Sequence, residues 1–175
     1  INTRNFLTPF NQAVELAGIK IGSKSLRRTH RLDIDGRQKD CAVDWIDGAC
    51  FILRRAAVEE VGQFDEQFFM YSEDEDLCLR LRQRGWRVCF CASGTAIHHG
   101  AGSSRLNETE NLRRFFLSQM LFLSKHRGAR SAHMFAAAMK IVLNLKKVFQ
   151  SESKRKAVRL QLSALKDAQA AFHGL

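Results

Sequence analysis

Four consecutive acids, Glu73, Asp74, Glu75 and Asp76, follow Ser72 and lead into the run Leu77-Cys-Leu-Arg-Leu-Arg-Gln-Arg-Gly-Trp86. Carboxylates in the first turn of a helix meet unpaired backbone N–H groups and the positive end of the helix dipole, which favour the ionised state. An ionised carboxylate held beside a hydroxyl is a candidate general base, and Asp74 is best placed for that role. Ser72 with Glu75 three residues later reads as a capping box, so the helix is expected to start there, after an apolar, strand-like, buried stretch over residues 67–71. The same acids also have a purely structural use. Acids stabilise helix starts in general, and Asp76 with Arg80 has the i,i+4 spacing of an ion pair on an exposed face. A calcium loop is excluded, because the alternating Asp/Asn spacing and central glycine of an EF-hand are missing.

Positioning such a helix takes flanking elements, and the segments around it have a definite order. Upstream lie Val43-Asp-Trp-Ile-Asp-Gly-Ala-Cys-Phe-Ile-Leu-Arg-Arg55 and Val61-Gly-Gln-Phe-Asp-Glu66; downstream come Gly85-Trp-Arg-Val88 and Ala96-Ile-His-His-Gly-Ala-Gly-Ser-Ser104. Over about residues 40 to 126 these segments together resemble the C-terminal half of family 2 glycosyltransferases of the GT-A type, in their bacterial rhamnosyltransferase-like branch. The resemblance implies an α/β chain, the C-terminal part of a GT-A (nucleotide-diphospho-sugar transferase) fold with a helical C-terminal tail. It implies that Asp74 deprotonates the acceptor hydroxyl, so that attack inverts the anomeric carbon, and that Glu73 orients the site. Trp45 and Asp76 fall on the acceptor side. Trp45 offers a flat apolar face for a sugar ring, with a plain core tryptophan as the alternative, and Asp76 serves the helix and Arg80 more than the substrate.

By the same resemblance His98 aligns with a ligand of the divalent metal (Mg or Mn) that bridges the donor diphosphate. Read from the residues alone, a histidine pair closing an apolar strand is structural. Gly100, Gly102 and Ser103 belong to a flexible loop next to the donor phosphates. The implied partners are a nucleotide-diphospho-sugar donor, rhamnose or a similar hexose, and a glycan or lipid-linked glycan acceptor.

A GT-A enzyme begins with a nucleotide-binding βαβ half that ends in Asp-x-Asp. Here such strings occur only as Asp33-Ile-Asp35, in a basic polar stretch, and Asp74-Glu-Asp76, and residues 1–40 hold no run suited to a parallel-sheet core. The expectation is a chain that carries the acceptor side and the base but does not turn over unaided. Its organisation reads as residues 1–126, the acceptor and base side of the transferase domain, followed by an amphipathic helical tail over 127–175. Three helices are expected across 105–175, with breaks at Arg127-Gly128 and near Ser151.

With 175 residues, 45% of them apolar, and a mean hydropathy of −0.25, the chain is of globular class with one domain core. Five cysteines show no metal spacing and read as buried free thiols in a reducing cytosol, with Cys89 and Cys91 on one side of a strand. Asn107-Glu-Thr109 is a formal glycosylation sequon without use there.

The net charge of +10 and a pI near 9.8 call for a polyanionic neighbour. Over residues 133–150, Met134, Ala138, Ile141, Leu145 and Val148 make one apolar stripe, joined by Phe135, Val142 and Phe149, with Lys140, Asn144 and Lys147 opposite. The segment is too short and too charged to span a bilayer. It either packs on the neighbouring helices or lies in the interface of an anionic membrane. The expected location is the cytoplasm, with peripheral contact to the inner face of its membrane. The rival function is a non-catalytic basic module for an anionic membrane or nucleic acid. Finger spacings, RNP strings and a helix-turn-helix pattern are all missing, so no nucleic-acid partner is expected.

Overall fold

A computed structural model describes residues 2–4, 6–17, 29–31, 40–93, 97 and 107–174. Short strands come first. β1 (Asn2–Arg4) is the centre of a three-stranded antiparallel sheet, flanked by β2 (Thr29–Arg31) and β4 (Trp45–Ile46), with Thr3 opposite both His30 and Ile46. β3 (Cys41–Ala42) pairs antiparallel with β5 (Cys89–Phe90). Helices α1 (Asn11–Ala17), α2 (Arg55–Val61) and α3 (Glu73–Gln83) lie between these strands in sequence. α3 packs between α2 and β4: Leu77 and Leu81 close on Ala57, and Cys78 closes on Trp45 and Val88.

The larger core belongs to three long helices, α4 (Glu108–Arg127), α5 (Ala129–Phe149) and α6 (Glu152–His173), which pack on one another while α1 leans on α5. Phe116, Met120, Phe122, Leu123, Phe135, Met139, Leu143 and Leu165 fill the space between them, and Leu7 and Phe68 join this core from the α3 side. α4 is well specified at both ends. The Asn107 side chain accepts a hydrogen bond from the Glu110 N–H at 3.1 Å, acids occupy its first turn and Lys125, His126 and Arg127 its last. Gly128, at φ 84°, ends α4 and opens α5, a backbone that favours glycine. The three helices and both breaks fall where the sequence puts them, and the boundary expected after residue 126 lies inside this bundle.

Several expectations change. The described residues are mostly helical, and their strands are two or three residues long with antiparallel pairing throughout. Beside the β3–β5 pair the Ala92 N–H donates to the Asp40 side chain, at Oδ1 and 2.8 Å, and the Val43 N–H still reaches across to the Val88 carbonyl at 2.9 Å. Residues 67–71 form turns and bends, with Phe68 buried and Phe69 exposed, so no strand precedes α3. Of the five free cysteines only Cys78 is buried; Cys50, Cys89 and Cys91 are exposed. Burial pushes the Cys78 thiol up to about 11, which leaves it inert. On α5 the buried row is Ala132, Phe135, Ala136, Met139 and Leu143, and most of the expected stripe faces outward. Among the described residues no helix is long and apolar enough to cross a membrane.

Candidate active site

The chain enters α3 through two non-glycine residues with left-handed backbones, Tyr71 (φ 72°) and Ser72 (φ 63°). Such conformations are costly and persist where neighbours fix them. Here α4 supplies the fixing: the Ser118 hydroxyl donates to the Met70 carbonyl at 2.8 Å, and the Tyr71 ring meets Phe115 edge-on at 5.6 Å.

The capping box is therefore absent. Ser72 makes no side-chain cap, and Glu75, fully buried, accepts the Leu7 N–H at 2.5 Å through Oε1, which ties the N-terminal segment to α3. With Ser72 left-handed and making no cap, Asp74 is the side chain that binds a first-turn N–H. Asp74 Oδ1 accepts the Glu75 N–H at 2.8 Å, and Oδ2 accepts the Gly48 N–H at 2.8 Å. Burial is the largest influence on this carboxyl and pushes it up to about 6. The two N–H donors pull the other way, and Glu73 and Asp47 add like-charge repulsion. The helix start therefore does not hold Asp74 at the low value expected of a capping acid. Glu73 Oε2 is buried beside it with no hydrogen-bond partner among the described residues, an orphan that a hydroxyl donor would satisfy.

Asp76 lies on the opposite side of α3 and is wholly buried, so its pair with Arg80 is not on an exposed face. Burial raises its carboxyl, but hydrogen bonds from His126, Lys125 and Arg80 outweigh that and hold it at about 2. Its Oδ1 lies 2.7 Å from both Lys125 Nζ and His126 Nε2, and Oδ2 accepts from Arg80 Nε at 2.8 Å. Arg80 also donates to the carbonyls of Val61 and Gln63, at 2.6 and 2.7 Å, and Lys125 reaches Asp65 at 2.7 Å. The Gly-Gln-Phe-Asp turn is thus clamped to α3 and α4. Buried and committed to Arg80, Lys125 and His126, Asp76 has no oxygen to offer an acceptor.

Trp45 is 3% exposed and packs on Cys78 and Val88, which is the core alternative; neither face of its ring is open for a sugar. The structure thus brings Glu73 and Asp74 together with Gly48, and sets Asp76 and Trp45 behind them. His98, Gly100, Gly102 and Ser103 lie outside the described residues. Among the described residues no group of three His, Cys, Asp or Glu side chains is arranged to hold a metal ion, so these residues do not by themselves fit one. The residues missed by sequence reasoning are Gly48, Lys125 and His126. Gly48 stands in the Val43–Arg55 segment shortly after Trp45, whereas Lys125 and His126, some 50 positions beyond Asp76, carry no local signal.

The model of the family described as glycosyltransferase like family 2 matches residues 24–116, more than half of the chain. The chain belongs to that family. The family 2 assignment brings with it the GT-A fold class. This family 2 member is 39% identical over 87 residues to the N-acetylglucosaminyl-diphospho-decaprenol L-rhamnosyltransferase of Mycobacterium tuberculosis, covering 49% of this chain and 28% of that protein. It is 34% identical over 88 residues to the rhamnosyltransferase WbbL of Escherichia coli (strain K12), covering 50% of this chain and 33% of that one. With the low-salt glycan biosynthesis hexosyltransferase Agl10 of Haloferax volcanii it shares 33% identity over 57 residues, covering 33% of this chain and 19% of the relative. The matched region thus spans a third or less of these curated relatives. No solved structure matches.

Proposed function

We propose that this chain carries the acceptor side and the general base of an inverting glycosyltransferase acting on a nucleotide-diphospho-sugar. The observation that carries the reading is Asp74: a carboxylate at a strained helix entry, held by the Gly48 N–H and raised to about 6. At pH 7 a carboxyl with that value is roughly nine-tenths ionised, yet binds a proton far more readily than an ordinary aspartate. The acceptor O–H gives its proton to Asp74. The oxygen forms its bond to the anomeric carbon as the bond to the nucleoside diphosphate breaks on the other face, and the configuration inverts. Glu73, through its unsatisfied Oε2, receives a second acceptor hydroxyl and sets the orientation.

The sugar is rhamnose in this reading, supported by the names of two relatives, and the acceptor is a glycan or a lipid-linked glycan at the cytoplasmic face of a membrane. A divalent metal would offset leaving-group charge at the donor diphosphate; by the family resemblance His98 would hold it, and Gly100, Gly102 and Ser103 would contact the phosphates. The chain alone does not turn over; donor binding falls to sequence beyond the matched third of the relatives.

Transfer from a panel of nucleotide sugars tests this in three proteins: this chain, a version extended upstream to the length of its relatives, and the extended Asp74→Asn variant. Transfer by the extended protein that Asp74→Asn removes, with circular dichroism unchanged, is the expected result. An inert extended protein, or equal rates with and without Asp74, overturns it and leaves the basic surface as the function.

A further inference from the structure

The α5 helix is apolar on two sides. Its inner row, Phe135, Met139 and Leu143 with Ala132 and Ala136, is buried against α4 and α6. Its outer row is Met134, Ile141, Leu145, Val148 and Phe149, with Ile141 62%, Val148 66% and Phe149 82% exposed. At 1.5 Å per residue the outer row runs for roughly 22 Å along the helix. Lone exposed apolar residues are ordinary, but a continuous row of five large ones marks a contact surface.

The charge around the row selects its partner. Residues 129–175 hold nine basic residues against two acidic ones, Glu152 and Asp167. Lys140 and Lys147 flank the row on α5, and Lys154 and Lys156 follow on α6; all four are exposed, and none is paired with an acid among the described residues. Two such faces from two copies of the chain would repel each other, and a nucleic acid would give the aliphatic side chains nothing to bury in. An anionic bilayer satisfies both: acyl chains take the outer row while phosphate headgroups meet the lysines. We infer that the outer face of α5, with the lysines of α5 and α6 beside it, is a docking surface for an anionic lipid bilayer, on which the helix lies flat without crossing. This surface is independent of the transfer reading, since vesicle binding needs neither donor nor Asp74.

Flotation of the 175-residue chain with two kinds of vesicle tests it, one of phosphatidylcholine alone and one of an equal mixture of phosphatidylcholine and phosphatidylglycerol. The chain is expected to float with the mixed vesicles and not with the neutral ones, less so as salt rises. Ile141→Ser with Leu145→Ser, and separately Lys140→Glu with Lys147→Glu, should each weaken binding by about tenfold or more, with thermal unfolding unchanged because these side chains face solvent. As a second readout, the emission of Phe149→Trp should shift to the blue only on the mixed vesicles. The proposal is overturned by no flotation with the mixed vesicles, or by losses on the lysine changes alone with Phe149→Trp emission unshifted. It is equally overturned if the serine variants keep vesicle binding and instead dissolve a dimer seen by sedimentation velocity.

Discussion

Asp74 and Asp76 stand two residues apart in the first turn of α3, yet one side of the helix raises its carboxyl to about 6 and the other holds its carboxyl at about 2. Burial works against ionisation on both sides. On the Asp76 side, His126, Lys125 and Arg80 outweigh it, and the carboxylate becomes a cross-link between α3, α4 and the 61–65 turn. On the Asp74 side, among the described residues, two backbone N–H groups face the carboxylate, and Glu73 and Asp47 crowd it with like charge. A place at a helix start does not decide what an acid does. The neighbours brought from elsewhere in the chain do, and here they divide one acidic run into a reactive side and a structural side.

The largest expected effect is on the reactive side: Asp74→Asn should lower the transfer rate of the extended protein by about 10²- to 10⁴-fold, the usual worth of a positioned base, while its circular dichroism stays unchanged. The wild-type rate should rise with pH through about 6 as Asp74 ionises; a profile flat from pH 5 to 7 would sink the assignment. Next comes the structural side. Asp76→Asn leaves Lys125, His126 and Arg80 facing a neutral group, and urea unfolding at pH 7 should show a loss of about 3 kcal/mol. That loss should shrink in acid, because the Asp76 contribution is complete above the ordinary carboxyl value of 3.8 and is lost as the pH falls from there through about 2.

Asp74 has the opposite sign. Its raised value means that the folded state bears no ionisation cost below pH 3.8 and bears it in full above about 6. Asp74→Asn should therefore be more stable than the wild type at pH 7, by roughly 1–2 kcal/mol, and no more stable at pH 3.5. Equal stability at both values would mean that the two sides of α3 do not differ as described. The smallest effect is expected of Glu73→Gln, which removes a repelling charge next to Asp74: the rising limb of the rate profile should move to lower pH by less than one unit, a change visible only in a full pH titration.

What the sequence discloses is what local pattern can carry. The breaks at Gly128 and Ser151 and the three long helices follow from apolar periodicity and its interruptions, and the Asp76–Arg80 pair follows from its spacing. Burial of that pair does not, because it depends on Lys125 and His126 arriving from α4. Nor does the failure of the Ser72 cap, since the left-handed turn at Tyr71 and Ser72 is held by Ser118 and Phe115, again on α4. On α5 the pattern shows that apolar side chains abound. It cannot say which of two apolar rows turns inward, and the row read as the stripe is largely the outer one. Glu73 and Asp74 were identifiable as a pair, whereas the Gly48 N–H that holds Asp74 becomes visible only in three dimensions.

α4 makes the helices after residue 126 something other than an interchangeable appendage. Its Phe115, Ser118, Lys125 and His126 grip the entry and the buried side of α3, while its Met120, Phe122 and Leu123 are seated in the core shared with α5 and α6. A chimera that kept residues 1–126 and borrowed another tail would retain every acid of α3 and still loosen the turn that aims them. Exchange between relatives would have to be made upstream of Asn107, with α4, α5 and α6 moving as one piece together with their partners on α3.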